Sequence, residues 1–82
     1  MPYVATIKSD LGSAFDAAMD FHTHNASATA TLNDLRDHGF RESLNVTTTV
    51  VNGNLDTLKI TATHVAVSGV YQVNENGQIS QQ

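Results

Sequence analysis

The sequence predicts a single α+β domain, in which a helical segment covers one face of a mostly antiparallel sheet of about three to five strands. Apolar residues recur at helical spacing in the first half of the chain. After Arg41 the composition changes to Val, Thr, Leu and Ile, and turn signals such as Asn52-Gly53 divide that half into short runs. The predicted order is β-α-α-β-β-β, and residues 1–82 form one domain because 82 residues leave no room for a second.

The first predicted elements are a strand, a turn and a helix. Residues Tyr3–Ile7 are rich in β-branched and aromatic side chains that alternate as in a strand, and Lys8–Gly12 is the turn that follows. Ser13, with Asp16 three residues later, has the pattern of a helix N-cap. Apolar side chains then recur on one helical face: Leu11, Phe15, Ala18 and Met19.

A second helix is predicted after a break at residues 24–28, which contain no strong apolar side chain. Thr31 with Asp34 repeats the capping pattern. His38-Gly39-Phe40 is typical of a helix end, with Gly39 in the left-handed conformation. A single bent helix from Ser13 to His38 is the alternative, because alanine favours helix.

Strands are predicted at residues 44–51, 55–67 and 70–73, and a short last strand at 78–80 stays open. The Asn-Gly dipeptide favours a two-residue hairpin turn, which would pair Val46 with Lys59. The apolar alternation favours a three-residue loop that pairs Val46 with Leu58, because a slip of one residue turns every side chain to the other face. We predict the three-residue loop, and a core of Phe15, Met19, Leu32, Leu35, Phe40, Leu44, Val46, Leu58 and Ile60.

Composition and charge argue against several classes of function. The net charge is −4 and only four residues are Lys or Arg, so no basic surface is expected for nucleic acid. No signal peptide and no apolar run of membrane-spanning length is evident, so we expect no membrane partner. The absence of cysteine excludes disulfides and thiolate sites and favours a reducing, cytoplasmic location.

The histidines offer one candidate metal site. His22 and His24 lie two residues apart, and two such imidazoles converge on one transition-metal ion if the backbone is extended. On a helix they point about 200° apart and cannot converge. The alternative explanation is a polar helix end, where histidines suit the helix dipole. Because capping explains Asp16 and Asp34, we expect no catalytic residues, no cofactor and no enzymatic activity.

A candidate interface comes from the apolar residues that the helices leave uncovered. Val51, Val65 and Val67 share the parity of the Thr-rich sheet face, and Tyr71 is amphipathic. These residues predict a non-enzymatic interaction or assembly domain that forms a homodimer through its sheet. The alternatives are a small-molecule or transition-metal binding protein that uses the His-rich helix end, and a small acidic inhibitor of a basic partner protein.

Overall fold

The computed structural model describes residues 2–82 and confirms the α+β class, with helices on one face of an antiparallel sheet. Its two helices precede four strands: α1 (Pro2–His24), α2 (Leu32–Asp37), β1 (Val46–Asn52), β2 (Lys59–His64), β3 (Tyr71–Asn74) and β4 (Ile79–Gln81). The strands lie in the order β1-β2-β3-β4, and every neighbouring pair is antiparallel. Helix α1 packs on β2 and β3, so β1 and β4 are the sheet edges.

Helix α1 contains the segment predicted to be a strand and a turn. Tyr3–Ile7 is helical, so the predicted first strand is wrong, and Ser13 lies inside the helix and does not cap it. The reason is a stripe of buried residues that extends the helical spacing upstream: Ile7, Leu11, Ala14 and Ala18. Burial of this stripe outweighs the slightly lower helix propensity of β-branched residues.

Helix α2 begins and ends at the predicted signals. The Thr31 hydroxyl accepts the Asp34 N–H at 3.2 Å, and the Asp34 carboxylate accepts the Thr31 N–H at 2.9 Å. Gly39 has φ of 99°, and the Phe40 N–H donates to the Leu35 carbonyl at 3.0 Å. The helical segment is therefore two helices and not one bent helix.

The β1–β2 register differs from both predicted alternatives. Val46 pairs with His64, and Asn52 pairs with Lys59 across an irregularity in β1. The connection is longer than a hairpin turn and contains a 3-10 turn at Leu55–Thr57. The sequence-based predictions that paired Val46 with Leu58 or Lys59 are therefore wrong.

Gly53 explains why the Asn-Gly dipeptide does not form a tight turn. Its carbonyl accepts the Ala30 N–H at 2.9 Å, and a Cβ at this position would lie 2.0 Å from the Ala30 carbonyl oxygen. Glycine is needed here for close approach of two backbone segments. A tertiary contact, and not local turn geometry, therefore determines where β1 ends.

The inner face of the sheet packs against α1. Most of the predicted core is buried between the helices and this face. Five of the nine predicted core residues are buried: Leu35, Phe40, Val46, Leu58 and Ile60. Three more are partly buried and pack against that core: Phe15, Met19 and Leu32. Leu44 is 86% exposed in the turn before β1, so its assignment to the core is wrong.

In the last third of the chain, β2 is shorter than the strand predicted at residues 55–67. β2 ends at His64, so Val65 and Val67 lie beyond it rather than on its outer face. Gly69 and Gly77 have positive φ, and residues after Gly77 form β4, the strand left open by the sequence. Neither helix of residues 2–82 is both long enough and apolar enough to cross a membrane.

Candidate functional site: the open edge of β1

The first strand of the sheet has β2 on one side and, among residues 2–82, no strand on the other. The Val65 N–H donates to the Asn45 carbonyl at 3.2 Å, so the backbone polar groups of Asn45 point towards β2. Hydrogen-bonding direction alternates along an antiparallel strand. The outer edge of β1 therefore carries the backbone groups of Val46, Thr48 and Val50.

A groove of about 710 Å³ runs beside this edge, between residues 29–32 and residues 48–53. We call it the β1 groove. None of these residues has a charged side chain, although the net charge of the protein is −4. Val50 and Val51 contribute apolar surface, and Val51 is 56% exposed. The β1 groove is thus an uncharged surface next to open backbone groups.

Thr48 lies in the wall of the β1 groove with its side chain buried beside Glu42. The residue is 4% exposed, and its hydroxyl and its backbone N–H both help to stabilise the charge of the Glu42 carboxylate. Thr48 therefore joins the outer edge of β1 to the segment that precedes the strand.

Glu42 caps the outer edge of β1. Its Oε2 accepts the Thr48 N–H at 2.8 Å, and its Oε1 accepts a hydrogen bond from Arg36 at 2.6 Å. Burial raises the pKa of Glu42, but hydrogen bonds from Arg36 and Thr48 and the guanidinium charge outweigh it, so the pKa lies below its ordinary 4.5. Glu42 therefore stays charged at neutral pH, and a charged cap is one way in which proteins protect open sheet edges.

Glu42 and Thr48 were not among the site residues predicted from the sequence. Thr48 belongs to a run of three threonines, and nothing in that run marks the middle one as buried. Glu42 precedes β1 by four residues, too far for a local motif to join it to the Thr48 N–H. Only the path of the chain between α2 and β1 brings the two residues together.

The two candidate metal ligands do not converge. His22 is 3% exposed, and its ring nitrogens lie 3.1 Å from the Asn25 carbonyl oxygen and 2.9 Å from that of Gly53. His24 is exposed at the end of α1. Across residues 2–82, no cluster of three or more His, Cys, Asp or Glu could hold a metal ion. Metal binding stays a prediction, and His22 in this structure joins α1 to the end of β1.

Two acids of the helical half join α1 to the segments that follow α2. Both oxygens of the buried Asp10 carboxylate accept hydrogen bonds from Ser43, one from its backbone N–H and one from its hydroxyl, each at 2.7 Å. The Asp20 carboxylate lies 2.5 Å from His38 Nδ1. The first contact fixes the approach to β1, directly beside Glu42.

The four predicted interface residues lie in three different places. Val51 lines the β1 groove. Val65 is 78% exposed in the turn after β2, at the opposite end of the β1–β2 hairpin. Val67 and Tyr71 are partly buried and pack against the core. The structure therefore brings only Val51 to the edge of the sheet.

No protein-family model matches this chain, and no curated protein matches it.

Proposed function

We propose that this protein is a non-enzymatic assembly domain whose copies associate through the β1 edges of their sheets. The observation that carries the proposal is the open β1 edge, where the backbone groups of Val46, Thr48 and Val50 face outward beside an uncharged groove. Open backbone donors and acceptors at a sheet edge bind an added strand, and side-chain pockets beside the edge select its sequence.

A second copy of β1 fits this edge better than a strand of unrelated sequence. The strand reads VTTTVVN, so it is uncharged and rich in β-branched residues. The groove is lined by uncharged side chains, and the Glu42 carboxylate at this edge is already paired with Arg36, so a charged segment would gain no free counter-charge here. Antiparallel pairing of two identical strands about a two-fold axis is also self-complementary, the commonest symmetry of homo-oligomers.

The outer face of the sheet is less suited to association than its edge. It is lined by hydroxyl groups, from Thr47, Thr49, Thr61 and Thr63, and not by a continuous apolar patch. Stacking two such faces would remove these hydroxyls from water without supplying them with defined partners. The apolar residues that favoured stacking, Val51 and Val65, lie at opposite ends of the hairpin.

A pair of lysine substitutions in the sheet tests the proposal. Val50→Lys places a charge in the β1 groove, whereas Thr63→Lys places the same charge on the outer face of β2, one strand away from the β1 edge. Sedimentation equilibrium from micromolar to millimolar concentration measures association, and circular dichroism verifies the fold. We expect the wild type and Thr63→Lys to exceed the monomer mass of 8.8 kDa with rising concentration, and Val50→Lys to remain monomeric.

Two outcomes would contradict this proposal. A wild-type protein that stays monomeric at every concentration has no self-association to explain. Dissociation by Thr63→Lys, with Val50→Lys still associated, would assign the interface to the outer face of the sheet.

A further inference from the structure

We propose that two β1 strands pair antiparallel across a two-fold axis at Thr48, and that the Glu42 carboxylate must leave the Thr48 N–H before this pairing forms. The inference rests on the proposed function and adds to it the register of the interface and the group that controls it.

The register follows from the backbone groups of β1 that face outward. Thr48 presents its backbone N–H and carbonyl at the outer edge, so two Thr48 residues placed opposite one another exchange both hydrogen bonds. The same register places Val46 of each copy opposite Val50 of the other on the inner side. Val46 keeps its own N–H on the Ser43 carbonyl, 3.1 Å away, while its carbonyl accepts from the second copy.

Glu42 opposes this pairing in two ways. Its Oε2 accepts the hydrogen bond of the Thr48 N–H at 2.8 Å, and this N–H is the donor that the second copy needs. Two copies paired at Thr48 would also bring their two Glu42 carboxylates together beside the axis, where like charges repel. The hydrogen bond from Arg36, at 2.6 Å, holds the carboxylate in this blocking position. Glu42 with Arg36 thus sets the concentration at which copies associate.

Removal of the cap should tighten association. We compare Glu42→Ala with Glu75→Ala, which removes the same charge from the exposed turn between β3 and β4. In the wild type, the hydrogen bond from the Thr48 N–H to the charged Glu42 carboxylate competes with the hydrogen bond to the second copy. Because a hydrogen bond to a charged group is strong, its removal should lower the dimer dissociation constant about tenfold or more. Sedimentation equilibrium should show this decrease for Glu42→Ala. The change for Glu75→Ala should be less than about twofold, because Glu75 lies between β3 and β4, away from the β1 edge.

Isotope-filtered NMR of a dimer with one labelled copy determines the register between the two β1 strands. Pairing at Thr48 places Thr47 of one copy opposite Thr49 of the other, with Cα atoms about 4.5 Å apart. Intermolecular contacts between Thr47 and Thr49 are the expected result. Contacts of Thr49 with its own symmetry mate would overturn the register.

The result for each variant separates this inference from the proposed function. If the wild type associates and Val50→Lys abolishes it, but Glu42→Ala binds no tighter than Glu75→Ala, the role of Glu42 is wrong and assembly through β1 stands. If the wild type stays monomeric up to millimolar concentration, the proposed function is wrong, and if Glu42→Ala stays monomeric as well, the inference is wrong with it.

Discussion

The two faces of the sheet are built from alternating residues of the same strands and have opposite character. In β2, Ile60, Ala62 and His64 are buried against the inner layer, while Thr61 and Thr63 are partly exposed on the outer face. In β1 the inner positions are Val46, Thr48 and Val50. The inner face excludes water over most of its area, and the outer face is covered by threonine hydroxyls.

This difference assigns the stability of the fold to the inner face of the sheet. Burial of apolar side chains against α1 supplies the favourable free energy of folding. The hydroxyls of the outer face are hydrated and contribute little. Thr48 is the exception in β1, because it is a polar residue on the inner face beside the open edge.

The largest expected effect is the truncation of a side chain on the inner face. Leu58 is 1% exposed directly before β2, so Leu58→Ala should lower the free energy of unfolding by about 2–5 kcal/mol through lost burial and a cavity. Urea denaturation of the monomer measures this change. A loss below about 1 kcal/mol, the range of surface substitutions, would contradict the buried position of Leu58.

A loss of similar or smaller size is expected when a hydroxyl replaces part of an apolar side chain on the inner face. Ile60 is fully buried at 0% exposure, and Ile60→Thr should cost about 2–4 kcal/mol, because it removes apolar volume and buries a hydroxyl. The expected cost is no larger than that of Leu58→Ala. An unchanged denaturation midpoint would show that the inner face admits water at this strand.

The smallest effect is expected from the reverse substitution at the neighbouring position. Thr61 lies on the outer face between Thr49 and Gln72 in the sheet, so Thr61→Ile should change the free energy of unfolding by less than about 0.5 kcal/mol. The same urea experiment provides the measurement, and Ile60→Thr is its matched control in the adjacent residue. A loss comparable to that of Ile60→Thr would remove the distinction between the two faces.

Local signals in the sequence located several elements correctly. The Thr31–Asp34 capping box and the Gly39 helix end depend on residues within one or two turns, so their geometry needs no distant partner. The position of α2 is of this kind. The first strand failed for the opposite reason, because Tyr3–Ile7 has strand-like composition but joins a stripe that α1 buries against the sheet.

The candidate site was much less accessible to sequence reasoning. Val51 was predicted as an interface residue because it shares the parity of the Thr-rich sheet face, and in the structure it lines the β1 groove. The register at Gly53 was missed, because a close approach to Ala30 overrides the hairpin preference of Asn-Gly. Without that register, neither the position of Thr48 nor the reach of Glu42 can be derived.

The sequence by itself determined the α+β class, the two helices in the segment before Arg41, and the inner and outer parity of β1 and β2. These depend on the periodicity of apolar residues and on caps, which are properties of neighbouring residues. Tertiary structure alone decided the helical state of Tyr3–Ile7, the β1–β2 register and the Glu42 cap on Thr48. Each of these depends on contacts between residues brought together only by the folded chain, and contacts of that kind override local preferences when they bury surface or satisfy backbone groups.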